Sequence, residues 1–334
     1  MKKFPSIVSF TLLVRGCRAH AAYINVPVET LAPINYVGTV KLHGTNGGVC
    51  VKPDGTIVPQ SREQELDLVV TNAGFATFVL TREAGVFEQL ACQLLELNGI
   101  DSSVPRTEDV TIFGEWCGGS IQKGVALNQV PKHFVIFRVA LGEVQLEKVD
   151  GVFAVEHGIY NITQVPTYKL TVKFDDLQAA SDYINEVTVA VEQECPWAKL
   201  MFDVTGTGEG VVWVPTARAD ETNLWFKSKG EKHKVRNSPT KDVAPVDVEK
   251  VNSIKECVDI VLTVNRMEQM VRDNNLPFEV TSIGPFLQAV AKDILKEESH
   301  VLIDNGLDWK DVGKLVQSMA RTWFMEQIHN ATFS

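Results

Sequence analysis

The feature that most restricts the fold of this chain is a change of hydrophobic rhythm near Asn237-Ser238-Pro239. Upstream, apolar residues fall in short β-branched or aromatic runs separated by turn residues, with occasional helical stretches. Downstream, strong strand signals stop and three helical patterns fill the rest. No single layer of secondary structure satisfies both rhythms, so two domains are expected, residues 1–242 and 243–334. The 334 residues are enough to give each a core.

In the upstream part, Val37, Val40 and Leu42 precede a Gly-rich bend. Val49 and Val51, the turn Pro53-Asp54-Gly55 and Ile57-Val58 then complete a hairpin signal. Ala76 to Asn98 has one helical face, carried by Phe78, Leu80, Val86, Leu90, Leu94 and Leu97, and Asp175 to Glu192 reads as a second helix. Strands are expected at Val110 to Phe113, Phe134 to Val139, Gly206 to Pro215 and Asn223 to Lys227. Antiparallel pairs without regular βαβ alternation make this domain α+β. The downstream helices are marked by Val251, Ile254, Val258, Val261 and Leu262; by Leu287, Val290, Ala291, Ile294 and Leu295; and by Trp309, Val312, Leu315, Val316, Met319 and Trp323, with Asp308 as cap.

The net charge of −10 argues against coating nucleic acid through bulk electrostatics, and leaves room only for a local basic groove. Six scattered cysteines, with no C-x-x-C pair, lack zinc-site spacing and suit reduced thiols in a cytoplasmic protein. Met1-Lys2-Lys3, the apolar run Ile7 to Val14 and Ala19-His20-Ala21 imitate a secretory signal. The run is short, contains Ser9 and Thr11, and is followed by Arg15 and Arg18, so the signal reading is disfavoured. No stretch is long and apolar enough to span a membrane.

The most informative segment is Lys41-Leu42-His43-Gly44-Thr45-Asn46-Gly47-Gly48. A lysine closing a strand before a glycine-permitted turn puts its amine at a pocket mouth, where backbone approaches a nucleotide closely. The order is not that of a P-loop. Taken alone, the segment is better read as a solvated lysine beside a hairpin turn, because isolated short motifs often arise without function. Four further segments follow in order: Phe113-Gly114-Glu115-Trp116 with Ile121-Gln122-Lys123-Gly124, Phe134 to Phe137, Glu209-Gly210-Val211-Val212, and Trp225-Phe226-Lys227-Ser228-Lys229. At these residues the chain resembles the covalent nucleotidyltransferase superfamily of ligases and capping enzymes. It is most similar to the RNA ligase 2 type, whose nucleophile motif reads K-x-H-G-x-N where others usually carry K-x-D-G. The resemblance covers about residues 35 to 229, and the helical tail is similar in length and pattern.

The residues support parts of this reading independently. Lys227 and Lys229, two apart on a strand, share one face and suit a phosphate. Against that, the run continuing through Lys232, Lys234, Arg236 and Lys241 also fits a solvated edge. Glu209, after Gly206 and Gly208, suits a hydrated Mg²⁺ (or Mn²⁺) or an ordinary turn carboxylate. The resemblance implies an adenylation fold related to ATP-grasp on antiparallel sheets, with ATP as cofactor and Lys41 as covalent carrier of AMP. It implies catalytic roles for Lys41, Glu209, Lys227 and Lys229, with nucleotide contacts from Val40, Leu42, Asn46, Arg62, Glu115 and Phe137 as well as the two lysines. Glu115 would receive a ribose hydroxyl and Phe137 would stack on adenine, with Phe134 the rival for that role. His43, Asn46 and Arg62 would also meet the strand being joined.

Two departures stand out. Val40 occupies a place where relatives often carry an acidic residue that reads the adenine amino group, and Val214 replaces a lysine. The implied activity is the sealing of 3′-OH to 5′-phosphate ends at nicks in duplex RNA or RNA–DNA hybrids, by a monomer. The alternatives are a DNA ligase or GTP-using guanylyltransferase of the same superfamily, and a non-catalytic RNA-binding protein that keeps the fold.

Overall fold

Alternation of period two in the first long strand decides which residues enter the core and which line the site. In the computed structural model, which describes residues 1–83, 85–230, 258, 261–299, 302 and 308–332, the chain starts with a two-residue strand, Val8–Ser9 (β1). Ser9 caps the helix Phe10–Tyr23 (α1), its hydroxyl accepting from the Leu12 N–H at 3.4 Å. Strands Ile34–Lys41 (β2), Thr45–Val51 (β3) and Ile57–Ser61 (β4) follow, then helices Phe75–Leu80 (α2) and Val86–Leu97 (α3). Next come Val110–Cys117 (β5), His133–Leu141 (β6), Val144–Leu146 (β7), Ile159–Asn161 (β8) and Tyr168–Val172 (β9). Helices Leu177–Gln193 (α4) and Pro196–Phe202 (α5) lead to Gly210–Pro215 (β10) and Phe226–Lys229 (β11).

These strands form two sheets. The first has the order β1-β11-β10-β2-β9, antiparallel except for β1 on β11; the second has the order β4-β3-β5-β6-β7, with β8 parallel to β6. The chain passes from the first sheet to the second through Leu42, His43 and Gly44 alone. In β2, Ile34, Tyr36 and Val40 point into a core with Leu13 and Cys17 of α1 and Ala180, Ile184, Val187 and Val191 of α4. Thr39 and Lys41 alternate to the opposite face. The second sheet packs Val49, Ile112 and Ile136 against Phe75, Leu90 and Leu94 of α2 and α3. Each fully buried aliphatic or aromatic side chain contributes about 1.5–3 kcal/mol, so both faces are firmly assigned. A smaller cluster joins Phe4, Phe113, Ala140 and Trp225, with Phe137 and Val214 against it.

The chain divides into two compact units, Met1–Gly230 and Glu231–Ser334. The boundary expected at residues 242 and 243, the basic run Lys232 to Lys241, Val251 and Ile254 lie outside the described residues. The second unit contains helices Val264–Asp273 (α6), Ile283–Glu297 (α7) and Trp309–Thr332 (α8). Its core gathers Val258, Val261, Leu262, Met267, Phe286, Val290, Ile294, Val312, Val316 and Phe324. Asp308 accepts from the N–H groups of Lys310 (2.7 Å) and Asp311 (3.3 Å), the cap expected for α8.

Three sequence expectations change. The helix expected over Ala76–Asn98 is two helices, because the chain turns between them and Gly85 takes a left-handed φ of +88°. The strand expected from Gly206 begins only at Gly210. Before it, the Gly206 and Thr207 carbonyls accept from Cys195 (2.8 Å) and Ala126 (2.9 Å), so this backbone is used outside the sheet. The strand expected at Asn223 begins at Phe226, after a 3₁₀ turn over Thr222–Leu224.

Candidate active site

The passage between the sheets is built around Gly44. A Cβ there would lie 2.3 Å from the Trp116 carbonyl oxygen, so only glycine lets the chain cross this close. Its N–H donates to Glu115 Oε1 at 2.9 Å and its carbonyl accepts from Gln122 Nε2 at 3.0 Å. Both peptide groups of the turn are therefore fixed by side chains of the second sheet and the loop after β5.

On the first sheet, register aligns Lys41 with Gly210 and Gly210 with Lys229, while Thr39, Val212 and Lys227 form the next row. Lys41, Lys227 and Lys229 consequently share the face opposite the α1–α4 core. Gly210 has φ +152°, and a Cβ on it would lie 2.0 Å from the Ser228 carbonyl oxygen. No side chain stands between the two lysines, and both reach one carboxylate. Glu209, 2% exposed, pairs through Oε2 with Lys41 Nζ at 2.7 Å and with His43 Nδ1 at 3.2 Å, and through Oε1 with Lys229 Nζ at 3.1 Å. Burial opposes its charge, yet Lys41, Lys229 and His43 hold the carboxyl well below the usual range.

On the second sheet, Asn46 lies opposite Glu115 and Glu115 opposite Val135, so the three share a face. Burial pushes the Glu115 carboxyl up to about 7; Lys41 lowers it, Glu209 raises it, and the Gly44 N–H and Arg62 lower it further. The charges of Lys41, Glu209 and Arg62 are thus all felt at Glu115. Arg62 follows the last residue of β4. Asn46 Oδ1 and Arg62 Nε are buried and have no hydrogen-bond partner in the protein. Such atoms at a charged site fit a polar ligand better than a closed core.

Phe137 is half-buried, on the same face of β6 as Val135, with its ring 5.1 Å from that of Phe4. Phe134 is fully buried on the other face, 5.1 Å from Phe75, and is plain core. The Val40 and Leu42 side chains are 2% and 4% exposed and belong to the core, leaving only their backbone to meet a ligand. Val214 packs in the cluster with Phe4, Trp225 and Phe137, an apolar setting in which a lysine would be costly.

Among the described residues no three His, Cys, Asp or Glu side chains gather as a metal site. A lone buried, ionised carboxylate fits Mg²⁺ or Mn²⁺ that takes its remaining ligands from water and phosphate. The site also uses residues to which no role was given from the sequence. Gln122 holds Gly44, and Asn72 reaches β3 from the loop before α2; neither follows a local pattern, since each acts across 26 or more positions.

Comparison with known proteins gives one family model, RNA ligase, matching residues 34–229. No curated protein matches. Among solved structures, the chain shows a likeness to a Naegleria gruberi RNA ligase variant with AMP and Mn, at 15% identity and TM-score 0.40, covering 70% of this chain and 57% of that one. A second Naegleria gruberi RNA ligase variant, with ATP and Mn, has 16% identity, TM-score 0.40 and the same coverage. A putative ATP-dependent DNA ligase from Aquifex aeolicus has 13% identity and TM-score 0.40, covering 94% of this chain and 66% of that one. The chain therefore spans less than two thirds of the length of each.

Proposed function

The chain belongs to the RNA ligase family, and from that premise we propose that it is an ATP-dependent polynucleotide ligase that carries AMP on Lys41. The carrying observation is the buried Glu209 carboxylate ringed by Lys41, His43 and Lys229. It puts a nucleophile and two further cationic or polar donors at one point, which suits phosphoryl transfer, where positioning and charge stabilisation dominate.

In the first step Lys41 Nζ attacks the α-phosphorus of ATP. A P–N bond forms, the bond to the β-phosphate bridge breaks, and pyrophosphate leaves. Lys41 Nζ donates to Glu209 at 2.7 Å; one proton of this ammonium must pass to solvent before the nitrogen lone pair can attack, and a second leaves as the P–N bond forms. Lys227 and Lys229, on the same sheet face, receive the phosphate charge. Glu209 would be the protein ligand of Mg²⁺ or Mn²⁺, which when bound neutralises charge at the α-phosphate. Glu115 accepts a ribose hydroxyl, Phe137 stacks on the base, Arg62 donates its unpartnered Nε–H to phosphate, Asn46 meets phosphate through its amide N–H groups, and base selection rests on the backbone of Val40 and Leu42. AMP then passes to a 5′-phosphate end, a 3′-OH attacks that end, and AMP leaves as the phosphodiester forms. His43, with Asn46 and Arg62, meets the strand at this stage. The preferred substrate is a nick in duplex RNA or an RNA–DNA hybrid, joined by a monomer in the cytoplasm, with residues 1–242 forming the adenylyltransferase domain and 243–334 the helical domain that engages the strands.

Incubation with labelled ATP or GTP tests the first step. ATP should give a covalent adduct lost in Lys41→Ala. GTP labelling alone would mark a guanylyltransferase, and no labelling by either would mark a non-catalytic binding protein. Sealing of one nick in all four RNA/DNA strand combinations separates an RNA ligase from a DNA ligase.

A further inference from the structure

Three consecutive residues before α2 adopt left-handed backbone: Asn72 (φ +46°), Ala73 (φ +57°) and Gly74 (φ +89°). Two of them carry a Cβ, so the conformation is unfavourable by itself and persists only where the surroundings impose it. The Ala73 carbonyl accepts from Trp116 Nε1 at 3.1 Å and from Lys132 Nζ at 3.0 Å, which pins the turn to the second sheet. What the turn presents there is Asn72, only 4% exposed. Its Nδ2 donates to the Asn46 carbonyl at 3.3 Å and its Oδ1 accepts from Thr45 Oγ1 at 3.2 Å. One turn further, the Phe75 ring lies so close to Gly47 that a Cβ on that glycine would be 2.7 Å away. The strained turn is thus docked along Thr45-Asn46-Gly47, the residues directly after the crossing at Gly44.

Resting on the reading of the site given above, we propose that Asn72 is a positioning residue that sets Asn46 for nucleotide transfer. Asn46 offers a buried Oδ1 with no protein partner, and nothing in its own side chain fixes where that atom points. The carbonyl tether from Asn72 fixes its peptide plane, and with it the start of the Cα–Cβ bond. The hydroxyl of Thr45 is tethered by the same amide, so the two residues move as one. A misplacement of about 1 Å in such a group costs up to about a hundredfold in rate.

The test is the rate of covalent labelling by ATP at saturating concentration. Asn72→Gly keeps the left-handed backbone without strain and removes both hydrogen bonds. It should fold, by circular dichroism, and label about ten- to a hundredfold more slowly than the wild type. Asn72→Asp keeps the acceptor for Thr45 but loses the donor to Asn46, and should be as slow. Because Asn72 acts through Asn46, adding Asn72→Gly to Asn46→Ala should slow labelling no further than Asn46→Ala alone. Multiplying effects in the double variant, wild-type rates in either Asn72 variant, or an unimpaired Asn46→Ala each overturn the positioning role while the wild type still labels. A wild-type chain that takes no label overturns the reading of the site, and this proposal with it.

Discussion

Two buried charges, one in each unit, are built alike and serve different ends. Glu209 is ringed by Lys41, His43 and Lys229, whose side chains are 22%, 28% and 31% exposed. Arg266, 7% exposed, is ringed by Asp293 at 2.8 Å, Glu298 at 2.7 Å and the Val261 carbonyl. The carboxylate partners of Arg266 come from α7 and its C-terminal cap and the carbonyl from Val261 ahead of α6, so that cluster ties α6 to α7 within the helical unit. The partners of Glu209 come from the end of β2, the crossing and the end of β11, and only Glu209 itself is sealed away. Two ammonium groups on one carboxylate leave a surplus of positive charge at a half-open position, which calls for an anion from outside. Both hubs keep partly exposed partners, the carboxylates on Arg266 being 23% and 24% exposed; what differs is the sign of the surplus charge, negative at Arg266 and positive at Glu209, and only the second suits an anion.

The sharpest way to break this comparison is at the nucleophile. Lys41→Ala should give no detectable covalent adduct with labelled ATP while the protein remains folded by circular dichroism, and a retained adduct would move the chemistry elsewhere. Glu209→Ala comes next, lowering the labelling rate by about 100- to 1,000-fold, as loss of a preorganised electrostatic group does. Its freed cations are partly exposed and take up water, so its melting midpoint should change little. Arg266→Ala should do the reverse. Its loss unties α6 from α7 and leaves the buried Val261 carbonyl without this donor, at about 1–3 kcal/mol, seen as an earlier urea midpoint for the helical unit with the labelling rate per folded molecule unchanged. Equal damage to both readouts in either variant would erase the distinction.

The smallest effect concerns Glu115, whose carboxyl is raised from 4.5 to about 7, chiefly by burial. The folded chain therefore holds this proton more tightly than the unfolded chain, and the stability so gained is present in full below about 4.5 and lost as pH rises through about 7. Glu115→Gln does not titrate. Melting of both proteins at about pH 5 and about pH 8 should show the wild type losing stability relative to Glu115→Gln at the higher pH. A difference independent of pH would remove the buried-carboxyl account.

Much of this was legible in local pattern. The K-x-H-G-x-N segment and the lysines two apart define a strand end and a strand face, and β2, β10 and β11 bring them together as that periodicity implies. Phe137 and Phe134 were rivals on one strand, and only their opposite faces separate the half-buried ring from the core ring. What stayed hidden depends on distant or mixed signals. In α6 the buried face is Arg266, Met267 and Met270, and a charged residue at a core position disguises the helical stripe. β9 is a five-residue edge strand, Tyr168–Val172, too short to announce itself. The apolar N-terminal run that imitates a secretory signal here pairs Val8–Ser9 with Phe226–Lys227 and buries Leu13, Val14 and Cys17 from α1. Val40 stands where an acidic group is often found in relatives, yet its strand parity sends that side chain into the core.

The backbone at Gly210 carries a consequence for how this sequence can vary. With φ +152° and the Ser228 oxygen 2.0 Å from where a Cβ would be, even alanine is excluded by both conformation and space. If every codon of Gly210–Pro215 were randomised and survivors selected for ATP labelling, Val212 and Val214 should return as mixed populations. Position 210 should return as glycine in every clone, a fixed letter between the two lysines it faces across the sheet.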